Sequence, residues 1–395
     1  MQYRTMPRSD EKLSALGFGC MRLPTKGVGA IDKEKATRQV RYAIDHGVNY
    51  LDTAYMYGGS EAFLGECLKD GYREKVNIAT KLPCPLVDSR EKMDELFQLQ
   101  LKRLQMDYVD YYLLHGLNGE LWEMMLSLGA IDFMDKLRAE GKIRHMGFSF
   151  HASTNEFKRI VDSYNWDFAQ VQFNFLDENF QAGIEGIRYA HEKGLGIIIM
   201  EPLRGGSITN KIPKEAQEIY DTAPIKRTPA EWGLRWVWNH PEVTVVLSGM
   251  NDDENVRENI AAAETALPNS MTDEELAIVA DIKSRYHFRI GCTGCAYCMP
   301  CPAGINIPLA FSYWNKDGIE GGFTSKLFHA FMAGASTVDG KKHWVSDCRQ
   351  CGLCERKCPQ HLPIRESLKQ VHKDLETPIW RALATVAKPF VGGKR

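Results

Sequence analysis

Tyr108-Val109-Asp110-Tyr111-Tyr112-Leu113-Leu114-His115 is short, rich in aromatic and branched side chains, and does not alternate apolar with polar residues. A strand with one wet face alternates; a strand buried on both faces does not. Seven other stretches read the same way: Ala15–Met21, Val48–Thr53, Val76–Leu82, His145–Phe150, Phe168–Asn174, Gly196–Leu203 and Val243–Gly249. Between them lie segments with apolar residues three and four apart, the spacing of amphipathic helices, at Ile31–Asp45, Arg90–Gln105 and Leu121–Glu140. Gly141 and Gly194 stand where helices end. Eight buried strands, each followed by a helix, predict an α/β chain folded as a (β/α)8 TIM-type barrel. An open, doubly wound sheet is the competing layout. It calls for a glycine-rich phosphate loop after the first strand, and Leu16-Gly17-Phe18-Gly19-Cys20 lacks the third glycine.

The barrel needs about 250 residues, and the chain has 395. Apolar residues make up 44% and charged residues 25%, as in an ordinary globular protein. With 49 Lys and Arg against 51 Asp and Glu, the charge offers no electrostatic reason to expect nucleic acid or an anionic membrane as partner. No apolar run has the length of a membrane span. No apolar signal core follows Met1-Gln2-Tyr3-Arg4, so the expected compartment is the cytoplasm.

Of the 11 cysteines, Cys20, Cys67 and Cys84 are scattered and read as packing residues, and the other eight fall between Cys292 and Cys358. Without an export signal, clustered thiols point to metal rather than disulfides. Cys348, Cys351, Cys354 and Cys358, followed by Pro359, give C-x2-C-x2-C-x3-C-P, the spacing that holds [4Fe-4S] clusters. Cys292, Cys295, Cys298 and Cys301, followed by Pro302, repeat it with a last gap one residue shorter. In this motif the fourth thiolate serves the other cluster. The expected sets are therefore Cys292, Cys295, Cys298 and Cys358 for one cluster, and Cys348, Cys351, Cys354 and Cys301 for the other. Zinc ribbons use two separated C-x2-C knuckles, which these runs do not resemble. The 46 residues between Cys301 and Cys348 include the helix-like stretches Ile307–Tyr313 and Thr324–Ala333. The module thus resembles all-helical two-cluster ferredoxins more than the compact βαβ type. The expected domains are a barrel over 1–268, a linking helix over 269–287 with Thr272 as its cap, a small helical ferredoxin-like domain over 288–365, and a C-terminal helix and basic tail over 366–395.

Barrel chemistry sits at the C-terminal ends of the strands. Asp52, Lys81 and His115 close the second, third and fourth runs, and Tyr57 lies just beyond Asp52. Carbonyl reduction requires a hydride on carbon and a proton on oxygen. A phenol is a poor acid at neutral pH unless its anion is stabilised, which an ammonium at Lys81 would do. Asp52 supplies the countercharge that a buried ammonium needs. His115 can donate a hydrogen bond to the carbonyl oxygen. Taken singly, such an Asp caps a helix and such a His packs; four together at neighbouring strand ends point to a site. His145 and His151, which flank the fifth strand, are given no catalytic role.

Asp52-Thr53-Ala54, Tyr57-Gly58, Lys81 and Leu113-Leu114-His115 resemble the aldo/keto reductases over roughly residues 10–265, with all four members of that family's tetrad present. The whole chain is similar to the family subgroup that carries a C-terminal ferredoxin-type domain. The resemblance implies a nicotinamide cofactor, NAD(H) or NADP(H), extended across the mouth. It implies Ser149 and Gln170 as holders of the carboxamide, with Pro202, Leu203, Arg204, Ser248, Glu258 and Asn259 as further cofactor contacts. The family pattern is broken at Phe150, where Asn is usual, at Met200, where an aromatic is usual, and at Gly249 and Asn255, where Lys and Arg grip the 2'-phosphate of NADP. Those losses favour NAD. No flavin motif is present, although a phosphate-binding barrel mouth could hold a flavin.

The resulting expectation is an oxidoreductase that reduces a carbonyl, or oxidises an alcohol, with electrons passing through two [4Fe-4S] clusters. Its expected partners are a small carbonyl substrate and a redox partner protein. One alternative is an NAD(P)H-dependent carbonyl reductase whose clusters are structural. The other is a non-catalytic electron carrier or redox sensor. The loops that would select a substrate, Arg22–Val28, Leu117–Met125 and Leu203–Tyr220, contain Arg22 and Trp122 but no decisive pattern.

Overall fold

The computed structural model describes residues 1–26, 30–210, 212–320, 325–326, 329–330 and 343–381. The expected basic tail beyond 381, part of the stretch 324–333, and residues 27, 28 and 211 of the substrate loops lie outside the described residues.

All eight expected strands form and close into one barrel. They are β1 (Leu16–Gly19), β2 (Tyr50–Asp52), β3 (Asn77–Leu82), β4 (Val109–Leu117), β5 (Ile143–Phe150), β6 (Phe168–Gln172), β7 (Gly196–Met200) and β8 (Val245–Ser248). Neighbours pair in parallel around the ring, and β8 returns to β1. The barrel is packed inside. Tyr50, Tyr111 and Phe168 meet edge to face, with centroids 5.0 and 5.1 Å apart, among Leu113, Ile198, Val245 and Leu247. Gly147 makes this packing fit, since a Cβ there would lie 2.6 Å from the Phe168 ring. A hairpin that periodicity did not reveal, Tyr3–Thr5 with Lys12–Ser14, adds Met6 and Leu13 to this core.

Two helix expectations change. The stretch Leu121–Glu140 is not one helix but two, Gly119–Ser127 and Ala130–Ala139. Gly129 takes a left-handed φ of 73° between them, and Arg90 donates to its carbonyl at 2.7 Å. Trp122 is buried against Trp166 and is a core residue rather than part of an open loop.

Contacts divide the chain into two compact units, Met1–Leu203 with Arg227–Val279, and Arg204–Lys226 with Ala280–Arg395. The contact units differ from the linear boundaries in two ways. Residues 204–226 belong with the cysteine unit rather than the barrel. The last described helix, Ile364–Leu375, runs through the expected break at 365. It buries Ile364, Leu368, Val371 and Leu375 with Phe311 and Trp314 in the second unit's core. Helix Asp273–Ser284 starts at Thr272 as expected: Thr272 Oγ1 accepts from Glu275 N, and Glu275 Oε2 accepts from Thr272 N. Among the described residues the second unit contains helices and no strand.

Candidate active site and cysteine cavities

Parallel pairing sets Asp52, Lys81 and His115 side by side, because β2, β3 and β4 are adjacent. Tyr57 reaches them from the turn after β2, where Tyr57 N donates to Ala54 O and Gly59, at φ 78°, starts the helix Ser60–Cys67. Lys81 Nζ donates to both Asp52 carboxylate oxygens and to Thr53 O, each at 2.7 Å, and lies 3.4 Å from the Tyr57 hydroxyl. The Tyr57 and His115 rings meet edge to face at 6.1 Å. Lys81 is 1% exposed and Asp52 3%, so neither charge is compensated by water. Burial pushes the Asp52 carboxyl up and the Lys81 ammonium down; each is opposed by the other's charge. Burial, with Lys81 and His151 nearby, holds the His115 imidazole well below its ordinary value. His115 is therefore neutral at physiological pH, carrying one N–H to donate and no charge.

Behind the tetrad lies a polar network that the sequence did not disclose. Gln100 Nε2 donates to Lys81 O at 3.0 Å and to Glu61 Oε1 at 2.7 Å, Thr80 Oγ1 donates to Glu61 Oε1, and Tyr112 OH donates to Gln100 Oε1. Arg103 closes the network on Glu61 Oε2 at 3.2 Å. Glu61 and Gln100 read as ordinary helix residues in the sequence. Only burial, at 2% and 0% exposure, distinguishes them.

The cofactor residues expected on β5, β6 and β8 are buried at strand ends. Ser149 and Gln170 are register partners. Ser149 Oγ accepts from Gly116 N at 2.8 Å, which leaves its own hydroxyl proton to donate elsewhere. The Gln170 side chain hydrogen-bonds Asp52, and its Oε1 is buried with no partner among the described residues. A buried acceptor without a donor costs about 1–3 kcal/mol. The pair thus presents one acceptor and one donor, which suits a carboxamide. Ser248 Oγ accepts from Asn259 Nδ2 at 2.9 Å. Glu258 is half-buried, and burial, with Glu254 and Glu231 nearby, pushes its carboxyl up. Phe150 is packed between Phe148 and Phe157, so a core ring fills the position where the family has Asn. Pro202 is buried and Leu203 half-buried at the end of the first unit's run. Arg204 falls in the second unit, where its guanidinium lies 4.2 Å over the Phe288 ring.

Cys20 and Cys84 are buried and donate to the nearby carbonyls of Phe18 and Leu82; Cys67 is buried as well. His145 stacks on Tyr111 and pairs with Glu11 at 3.2 Å.

The eight clustered thiols line two cavities. Cys292, Cys295, Cys298 and Cys358 border one. Cys301, Cys348, Cys351 and Cys354 border the other, and Cys298 touches both. These are the crossed sets, and Cys301 joins the second despite the shorter gap. Among the described residues, no three His, Cys, Asp or Glu gather as the ligands of a single ion would. Four thiols bordering one cavity suit the four corners of a cubane. The two loops share a backbone device: Gly294 and Gln350, each before the middle cysteine, and Ala296 and Gly352, each after it, all have φ between 55° and 74°. At Ala296 and Gln350 this left-handed geometry is held against about 1–2 kcal/mol of Cβ strain. Beyond Cys358-Pro359, the backbone N–H of His361 donates to the Cys358 carbonyl at 3.1 Å.

The sequence profile of the aldo/keto reductase family matches residues 15–280, and that of the 4Fe-4S dicluster domain matches residues 291–362. The oxidoreductase YqkF of Bacillus subtilis is 28% identical over 308 residues, 70% of this chain and 94% of the relative. The holo form of the aldo-keto reductase AKR11C1 from Bacillus halodurans superposes with a TM-score of 0.60 at 28% identity, over 71% of this chain and 96% of that one. An aldo-keto reductase from Klebsiella pneumoniae in complex with NADPH gives a TM-score of 0.57 at 25% identity, over 72% of this chain and 96% of that one.

Proposed function

We propose, from the premise that this chain belongs to the aldo/keto reductase family and carries a 4Fe-4S dicluster domain, that it reduces a carbonyl to an alcohol, or the reverse, in exchange with two [4Fe-4S] clusters. The observation that carries the reading is Lys81 Nζ, held by both Asp52 oxygens and within reach of the Tyr57 hydroxyl. An ammonium there stabilises the phenolate left when Tyr57 gives its proton to the carbonyl oxygen. Neutral His115 donates its N–H to the same oxygen and orients it. In the oxidative direction Tyr57 takes the proton back.

Gln170 Oε1 and the Ser149 hydroxyl would hold the carboxamide of a nicotinamide, which supplies the hydride when bound. Ser248, Glu258 and Asn259, with Pro202 and Leu203, line the remainder. A carboxylate at Glu258, without the Lys and Arg that grip a 2'-phosphate, suits the ribose hydroxyls of NAD(H) better than NADP(H). Cys292, Cys295, Cys298 and Cys358 would ligate one cluster and Cys301, Cys348, Cys351 and Cys354 the other; bound clusters supply one-electron transfer. The reduction takes two electrons and two protons: either a nicotinamide hydride supplies both electrons at once with one proton from Tyr57, or two single-electron passages from the clusters supply them, with a second proton from solvent, to a substrate that tolerates a one-electron state. Thiols kept as metal ligands suit a reducing compartment such as the cytoplasm. Among the described residues no helix is long and apolar enough to cross a membrane.

The test is anaerobic purification and a carbonyl panel. The holoprotein should show the broad brown absorption of iron–sulfur clusters, and Tyr57→Phe should lower carbonyl turnover by about 10²–10⁴-fold with the absorption unchanged. Unaltered turnover in Tyr57→Phe would remove the acid role. The unpartnered Gln170 Oε1 also favours a second reading, an NAD(P)H-dependent reductase with structural clusters. That reading requires NAD(P)H-driven turnover to survive cluster loss in a Cys351→Ser protein.

A further inference from the structure

The two cysteine cavities differ in their walls. The one bordered by Cys292, Cys295, Cys298 and Cys358 is closed by Ile307, Phe311, Leu362 and Ile364. The one bordered by Cys301, Cys348, Cys351 and Cys354 has two guanidinium side chains, Arg349 and Arg365, in its wall. Cys351 is exposed, whereas each of the other seven is buried or half-buried. Its loop neighbours Gln350 and Leu353 are exposed with it. Arg356 and Arg365 converge on the same loop: Arg356 Nη1 and Arg365 Cζ each lie 3.7 Å from where a Cβ on Gly352 would stand. Of the carboxylates nearby, Glu355 pairs with Arg365 at 2.7 Å and Glu366 with Lys369 at 3.0 Å, and exposed Asp347 sets one negative charge against three exposed cations. Exposed Arg349, Arg356 and Lys357 therefore leave the rim net positive.

We propose that this face, centred on Cys351 and Leu353 and rimmed by Arg349, Arg356 and Lys357, docks a small acidic protein that carries one electron at a time. Three features single out that occupant. An exposed ligand thiol brings the second cluster to the surface, where a partner's redox centre can approach it. A positive rim raises the encounter rate of a negatively charged carrier and repels a basic one. One exposed leucine amid charges suits the small, transient interfaces of electron-transfer encounters, under about 1,200 Å². Each encounter moves one electron: the reduced carrier is oxidised by one, the second cluster is reduced by one, and no bond or proton is exchanged. The inference rests on the proposed function only in requiring that the clusters pass electrons.

The test uses the anaerobic holoprotein with a reduced plant-type [2Fe-2S] ferredoxin, a strongly acidic carrier, as probe. Stopped-flow bleaching reads electron transfer and surface-immobilised ferredoxin reads binding. Raising salt from about 20 to about 300 mM should slow transfer at least about tenfold. Charge reversal in R349E/R356E should weaken binding and slow transfer about tenfold or more at low salt, and R349K/R356K should restore both. Visible absorption and reduction by dithionite report whether each variant keeps its clusters. Equal rates for R349E/R356E and the parent, with clusters intact, would overturn the docking face. So would retention on an immobilised basic cytochrome c equal to that on ferredoxin, or retention on phosphatidylserine vesicles without retention on ferredoxin. Docking that follows the charges in a protein inert toward every carbonyl would sink the enzymatic reading and leave the face standing. A holoprotein without clusters would overturn both.

Discussion

At the barrel mouth the buried charges answer one another inside the protein, whereas in the cysteine loops eight thiols converge on space the protein does not fill. Lys81 has three oxygens at 2.7 Å, two from Asp52 and one from Thr53, and its strand is braced by Gln100. That site is organised before any ligand arrives. The cysteines border two cavities in a small unit, and several of them belong to its apolar core. On the proposed function, a preorganised proton donor and a metal-completed electron path would be built on opposite principles. The barrel carries its own countercharge, and the second unit would be completed by its iron–sulfur clusters.

The largest effect that would sharpen this contrast is removal of iron. In Cys354→Ser, or after chelation in air, residues 288–375 should become readily cleaved in limited proteolysis, and the barrel should keep its far-UV dichroism. A second unit that stays equally resistant without iron would break the comparison. Next in size is Lys81→Met, which leaves the Asp52 carboxylate buried without its cation and should cost about 3–5 kcal/mol in denaturant unfolding at neutral pH. Burial already pushes the Asp52 carboxyl up, and without Lys81 only the Gln170 hydrogen bond opposes the rise. The folded variant then holds a proton that the unfolded chain releases, so its stability should improve as pH falls and decline as pH rises. Adding Asp52→Asn should recover part of the loss.

Gln100→Leu should cost about 1–3 kcal/mol, because Glu61 Oε1 and Lys81 O lose a buried donor. Turnover should fall with the fold retained, and a loss of stability without a change in turnover would make the network purely structural. The smallest effect concerns His115. Its folded imidazole is held well below the ordinary value near 6.5, mainly by burial. Below that pH the unfolded chain takes up a proton that the folded site refuses, so stability should fall with acid by about 1 kcal/mol per pH unit. A parent and a His115→Asn protein with the same slope between pH 6.5 and 5 would show that the imidazole titrates freely.

Much of the barrel was legible because its signals are local. Non-alternating apolar runs mark strands buried on both faces, and all eight formed. The tetrad was legible for a related reason: once the runs are strands of one barrel, their ends share a mouth. The cysteine runs were legible because their spacing is that of the 4Fe-4S dicluster domain, whose profile matches residues 291–362. The hairpin at Tyr3–Thr5 and Lys12–Ser14 was missed because three-residue strands carry no period. The break at Gly129 was missed because the apolar spacing continues across it, and what stabilises the turn is Arg90, far away in sequence.

From the sequence alone came the barrel class, the four residues at its mouth, and the two cysteine runs, all carried by period, position at a strand end, or spacing. The tertiary structure alone decided that Cys301 shares a cavity with Cys348, Cys351 and Cys354, and that residues 204–226 join the cysteine unit. It alone set Glu61 and Gln100 behind Lys81, left Gln170 Oε1 without a donor, and exposed Cys351 among arginines. Each of these is a relation between residues distant in the chain, settled by how buried polar groups find partners once the backbone has closed.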